Sequence, residues 1–271
     1  MHTLKKMIKS AIRKNKYIEI ISYMIQNNLY LNSSGEGDFS NNLDEIYHHC
    51  IQISKRYIEY YPGSLENKVV LEIGTGFTRI SILHMIKVCN LKKAYCYDKF
   101  NCLKGYELEI IKTHNLESYL DKLEYISGDD DKLTDNINNK SIDYIVSNTV
   151  LQHVDTLKSL MNVLVQILKN NGIMYHRVDL RCMNKFKKYG ELYFHTFGVY
   201  IWKLMGNNIG QVSRRLIKDY EIIFSNLGLN LELNILEEFN VSELKSAEQY
   251  LENKNIDEYR ISRVEFILGK K

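Results

Sequence analysis

Val69-Val70-Leu71-Glu72-Ile73-Gly74-Thr75-Gly76 is the stretch that decides the fold. A short β-branched run ends in an acid and a Gly-x-Gly turn, and the amphipathic stretch Arg79 to Val88 follows at once. That pattern predicts a buried parallel strand that breaks into a tight loop and opens a helix. Glycines suit such a loop because the backbone must turn sharply and come close to a bound group, which a Cβ would obstruct. Loops at the carboxyl ends of parallel strands are where nucleoside cofactors are held. A lone Gly-x-Gly also occurs in ordinary strand-to-helix turns, so the rest of the chain has to decide.

Downstream, strand and helix patterns alternate. Strands are predicted at residues 93–97, 123–127, 142–147 and 173–178, and helices at about 80–88, 103–114 and 156–168, with Asn171-Gly172 as a turn. A polar and aromatic segment, about 180–211, interrupts the rhythm. A helix over 216–227, stopped by Gly228, and two closing strands at 229–236 and 264–268 follow. Upstream, apolar residues at helical spacing mark residues 3–27, with a basic first half. Residues 32–40 read as a loop, and a second helix runs from about Leu43 to Tyr60, stopped by Pro62-Gly63. Alternation of this kind calls for right-handed crossovers and a mainly parallel sheet covered on both faces. The expected organisation is an N-terminal helical cap over residues 1–62 and an α/β core over 63–271, with an insertion at about 180–213.

Composition narrows the class. With 271 residues, 45% hydrophobic and 25% charged, the chain can bury a sizeable core. A net charge of +3 gives no electrostatic case for nucleic acid. No apolar run approaches the roughly 20 residues of a membrane span, and the basic start lacks the apolar core of a signal peptide. Five cysteines, odd in number and without metal-type spacing, read as reduced thiols of a cytoplasmic protein and give no metal site.

Acids recur at successive strand ends. Asp98 lies roughly 20 residues past the glycine turn, where a carboxylate can bond the two hydroxyls of a ribose. Lys99 and Phe100 follow it, and Phe100 can stack on an adenine. Gly128-Asp129-Asp130 ends the next strand, and Asp129 can accept from the adenine amine. A nicotinamide enzyme would require G-x-G-x-x-G, and Arg79 stands where its last glycine belongs.

With those residues in view, Glu72-Ile73-Gly74-Thr75-Gly76 resembles the first motif of class I S-adenosylmethionine-dependent methyltransferases. The stretch Ile142 to Val154, which contains Asn148 and His153, resembles the fourth-strand motif of that superfamily. Lys169-Asn170-Asn171-Gly172 stands where the family usually has Lys-Pro-Gly-Gly. The resemblance covers about residues 63–179, and Thr78 replaces a common third glycine. It implies a doubly wound, mainly parallel seven-stranded α/β sheet with one antiparallel strand, and S-adenosyl-L-methionine as cofactor. A non-catalytic cofactor-binding module has the same fold and is the alternative. A nucleic-acid methyltransferase is disfavoured because Ser147-Asn148-Thr149-Val150 lacks the proline and aromatic of the amine-modifying forms.

On the acceptor side, Tyr175 to Arg181, Trp202 and Val212 to Leu216 resemble bacterial methyltransferases of surface-polysaccharide biosynthesis. The implied acceptor is a small molecule such as a sugar of a glycan precursor, with a phosphate-type oxygen or an amine in reserve. Asp179, His176 and His153 are the candidate bases. Arg181, Arg214 and Arg215 are candidate anion holders. His195 sits in an aromatic insertion suited to a lid or a homodimer contact.

Overall fold

The computed structural model describes residues 15–28, 42–182, 186, 189–205, 212–251 and 255–271. The first half of the expected N-terminal helix and the expected loop 32–40 lie outside the described residues. Seven strands form one sheet: β1 Val69–Ile73, β2 Lys93–Asp98, β3 Leu123–Ser127, β4 Ile142–Asn148, β5 Leu168–Asp179, β6 Leu229–Glu238 and β7 Ile261–Lys270. Their order is β3-β2-β1-β4-β5-β7-β6, with β7 antiparallel to both of its neighbours and the other described pairs parallel. The order reverses between β1 and β4, the switch point at which ligands of doubly wound sheets bind.

Alternation along the strands separates two cores. On one face Leu71, Ile73, Ile145, Met174 and Val178 pack with Leu157, Leu160 and Leu164 of helix α6 (Leu157–Ile167) and Tyr220 and Phe224 of α8 (Ile217–Asn226). On the other, Val70, Tyr144, Val146 and Tyr175 pack with α2 (Leu43–Glu59), α3 (Ile80–Cys89) and α4 (Tyr106–Thr113). Each fully buried aliphatic side chain contributes about 1.5–3 kcal/mol. The remaining described α-helices are α1 Lys16–Asn28, α5 Asp131–Asn136, α7 Val199–Leu204 and α9 Val241–Glu248.

The chain divides into two compact units. The sheet unit comprises residues 39–180, 215–239 and 257–271, and the second unit residues 1–38, 181–214 and 240–256. The second unit has its own small core of Cys182, Phe186, Phe194, Trp202, Met205 and Val212. Helix α2 groups with the sheet unit, whose limit is residue 39 rather than 63, because its face Ile46, Cys50, Ser54 and Tyr57 is buried in that core.

Two local expectations differ. Helix α4 starts at Tyr106, three residues after the expected Leu103. The expected turn at Asn171-Gly172 is a bulge inside β5: Ile142 pairs with Leu168 and Tyr144 with Ile173, so four residues of β5 oppose Asp143 alone. Lys169 Nζ lies 2.8 Å from both oxygens of Asp143, which also accepts the Val69 N–H at 2.9 Å. A Cβ on Gly172 would stand 2.7 Å from Leu168 Cδ1, so the bulge needs a glycine there.

Candidate functional site

The loop after β1 is built almost wholly from backbone. Gly74 and Gly76 have φ of +70° and +68°, a left-handed conformation that costs glycine nothing. Gly74 N–H donates to the Tyr97 carbonyl at 2.7 Å and Thr75 N–H to the same oxygen at 3.3 Å. A Cβ on Gly74 would lie 2.3 Å from Val150 Cγ2, so the loops after β1 and β4 touch only because that atom is missing.

Asp98 joins this loop to the next. Its Oδ2 accepts the Gly76 N–H and its Oδ1 the Phe100 N–H, each at 2.9 Å. Burial raises its pKa, and the two backbone donors pull it back. Each carboxylate oxygen keeps a lone pair for a further donor. Past β3, the Tyr97 hydroxyl lies 2.8 Å from the Gly128 carbonyl and 3.0 Å from Asp130 Oδ1. Asp129 and Lys99 form an exposed pair at 3.4 Å, and Phe100 is 41% exposed. Asp98, Lys99, Phe100, Gly128, Asp129 and Asp130 thus come together beside Gly74, Thr75 and Gly76.

Glu72 lies beneath the loop. It is buried, and burial raises its carboxyl to about 7 against the opposing bonds from Ser81 (2.9 Å) and Tyr57 (3.2 Å). Thr78, in place of the third glycine, is buried against the Cys50 thiol at 3.3 Å. Arg79 is clamped by Glu107, with Nη2 2.7 Å and Nε 3.0 Å from the two carboxylate oxygens.

The acceptor candidates separate. His176 is fully buried between β4 and β5, with Nδ1 2.8 Å from Ser147 Oγ and a pKa lowered to about 3 by burial. It is a neutral core residue, on the face shared with Met174 and Val178. His153 closes a short 3-10 turn, Leu151–His153, after β4. Asp179 ends β5 on the opposite face from His176, with Oδ2 3.6 Å from Arg263 Nε, and Arg263 Nη2 is 3.0 Å from Glu237. Arg215 donates to the carbonyls of Val154 (2.6 Å) and Asp155. In the second unit, Arg214 donates to the Phe197 carbonyl, and His195 is buried beside Phe194 with ring centroids 4.1 Å apart. Arg181 is half-buried in that unit.

Residues 71–176 match the family described as Methyltransferase domain. The match covers 106 of the chain's 271 residues. Among solved structures, the phosphoethanolamine N-methyltransferase 2 of Haemonchus contortus shares 14% identity at a TM-score of 0.55, over 84% of this chain and 57% of that one. This chain therefore spans little more than half the length of that protein. Geranyl diphosphate methyltransferase shares 11% at 0.52, over 81% and 77%. An S-adenosylmethionine-dependent methyltransferase from Mesorhizobium loti shares 14% at 0.50, over 84% and 99%. These likenesses are of fold. No curated protein matches the chain in sequence.

The residues at this edge of the sheet fit S-adenosylmethionine. The glycine loop presents bare backbone, and Asp98 offers two held oxygens with unused lone pairs. Two residues at this edge escaped the sequence reading. Arg56 of α2 reaches Asn148 at the end of β4, with Nη1 3.5 Å from Oδ1. Gln152 is fully buried, and neither end of its amide has a hydrogen-bond partner among the described residues. Among the described residues no cluster of histidine, cysteine or acids could hold a metal ion, and no helix is long and apolar enough to cross a membrane.

Proposed function

We propose that the enzyme methylates an oxygen of a small polar acceptor, a sugar hydroxyl on a nucleotide- or lipid-linked glycan precursor. The observation that carries this reading is the carboxylate of Asp179 at the carboxyl end of β5, fixed by Arg263 in a row of polar side chains. Across the sheet from Asp179 and Arg263, Asn148, Arg177, Glu265 and Asn234 follow in register from β4 to β6. A wall of that kind suits a hydroxylated acceptor and disfavours a flat hydrophobic one.

On the cofactor side, Gly74 and Gly76 would hold the methionine portion, Asp98 the ribose, and Asp129 and Phe100 the adenine. When bound, the cofactor supplies an electrophilic methyl group on a sulfonium. The protein's own work is to align the acceptor oxygen with that methyl and to keep water out. The Asp179 carboxylate would take the proton that the acceptor hydroxyl loses when its oxygen is methylated.

Incubation with labelled S-adenosylmethionine and a panel of nucleotide sugars, phosphorylated metabolites and amines, read by mass, tests the acceptor class. Methyl transfer to a sugar hydroxyl is expected, with Asp179→Asn lowering kcat about a hundredfold and leaving KM nearly unchanged. Transfer confined to amines or nucleic acid would sink it.

A second reading, N-methylation of a small amine, is favoured by Glu265. This buried carboxylate accepts from the Tyr175 hydroxyl at 2.6 Å, Tyr60 hydrogen-bonds to it as well, its Oε2 meets no geometric hydrogen-bond partner among the described residues, and Tyr60 stacks on Tyr175 at 4.6 Å. Carboxylate and aromatic rings together suit an ammonium group.

A further inference from the structure

The second unit carries apolar side chains on its outside as well as in its core. Helix α1 lays Ile20, Tyr23 and Met24 against that core, with the Tyr23 ring edge-on to Phe186 at 5.2 Å. The adjoining side of the helix is apolar too and faces outward. There Tyr17, Ile18, Ile21 and Ile25 are 64%, 48%, 54% and 52% exposed. At 3.6 residues per turn these four fall within an arc of roughly 100°, one stripe along the helix. Single exposed apolar residues are ordinary, whereas a stripe of this kind marks a contact surface.

The charge that leads into the stripe has one sign. Lys5, Lys6, Lys9, Arg13, Lys14 and Lys16 precede it, and no aspartate or glutamate occurs before Glu19. Glu19 is buried, and its carboxylate accepts from the Tyr23 hydroxyl at 3.3 Å, so it does not offset those cations at the surface. Over the whole chain the signs nearly cancel, with 36 cations against 33 acids. Lys16 Nζ lies 5.1 Å from the centre of the Tyr17 ring, which puts a cation beside an amphipathic ring where the stripe begins.

We propose that α1, with the basic run that leads into it, docks the protein on the surface of an anionic lipid membrane. Ile18, Ile21 and Ile25 enter the boundary between headgroups and acyl chains, Tyr17 lies at headgroup level, and the lysines and the arginine bind lipid phosphates. Each cation close to such a surface strengthens binding about fivefold, which adds to what the short apolar stripe supplies. A second copy of this chain is a poor occupant, because two such helices face to face would bring their cations together. With 13 residues, α1 is too short to cross a bilayer and lies on it instead. This inference does not rest on the acceptor reading, and either can fail alone.

The test uses the intact chain and no substrate. Co-sedimentation compares vesicles of phosphatidylcholine alone with vesicles of an equal mixture of phosphatidylcholine and phosphatidylglycerol. Binding to the mixed vesicles alone is expected. It should fade as salt rises from about 0.1 to about 1 M, where the Debye length falls from about 10 to about 3 Å. Ile18→Ser, Ile21→Ser and Ile25→Ser together should weaken binding about tenfold or more, and so should Arg13→Gln, Lys14→Gln and Lys16→Gln together. The three isoleucines are exposed, so urea unfolding of their variant should match the wild type. If it does not, the charge variant and the wild-type salt series decide. Equal binding to both vesicle types, binding to neither, or undiminished binding in either folded variant overturns the proposal. Absent vesicle binding together with a dimer that the isoleucine changes dissociate assigns the stripe to a second copy instead.

Discussion

The two carboxylates at the carboxyl edge of the sheet, Asp98 on β2 and Asp179 on β5, are held in opposite ways. Backbone N–H groups of the two flanking loops fix Asp98, and among the described residues no side-chain cation is bonded to it. Asp179 is held by the side chain of Arg263, itself tied to Glu237. A carboxylate fixed by backbone is set once the chain turns, whatever side chains surround it. One fixed by a side-chain pair can be retuned by changing either partner. The first suits a ligand that never changes, the second a substrate that differs between relatives.

The largest expected effect breaks the backbone side. Gly74→Ala puts a Cβ into Val150 and a side chain at φ +70°. It should cost roughly 2–6 kcal/mol in urea unfolding, from strain and overpacking together, and abolish S-adenosylhomocysteine binding. If Gly74→Ala binds normally, the close approach of the two loops is unimportant.

Next comes Glu72, whose folded pKa of about 7 lies above its ordinary 4.5. Between those values the unfolded chain has released this proton while the folded domain keeps it. The residue's contribution therefore declines as pH rises from 4.5 through 7, and is level above that. The stability of Glu72→Gln relative to wild type should rise across that window by on the order of 3 kcal/mol. A pH-independent difference would remove Glu72 as the cause.

A direct contrast sharpens the comparison. Asp98→Ala should weaken S-adenosylhomocysteine at least tenfold, since a charge-assisted bond is worth about 1.5–3 kcal/mol. Calorimetry of Asp179→Asn should show no change in that affinity, and equal losses in the two variants would erase the distinction. The smallest effect belongs to Arg215→Ala. It removes two bonds to backbone carbonyls and should cost about 1 kcal/mol of stability, with the acceptor KM untouched. A raised KM would restore Arg215 as an anion holder.

The same contrast explains what the sequence made legible. The strand, the glycine turn and Asp98 form a local pattern whose physics is complete within about thirty residues, so this edge of the sheet is legible in the sequence. The polar row that ends in β6 depends on pairs such as Tyr175–Glu265, 90 positions apart, and no spacing rule connects them. Arg56 escaped because a half-buried arginine on an amphipathic helix looks like a solvated one until the end of β4 is set beside it. Helix α9 went unread although Asn240 and Glu243 form a reciprocal cap, Asn240 Oδ1 accepting the Glu243 N–H and the Glu243 carboxylate the Asn240 N–H. The bulge at residues 169–172 reads as a turn in the sequence because turns and bulges draw on the same glycine chemistry.

The strand order has a consequence for synthesis. β7, residues 261–270, lies between β5 and β6 and is an interior strand of the sheet. As the chain leaves the ribosome, β5 and β6 are both complete while the strand that joins them is still missing. Until residue 270 emerges, the inner edge of β5 has open N–H and C=O groups, and edges of that kind recruit foreign strands. A pause late in translation should therefore favour aggregation far more than one during β1 to β3.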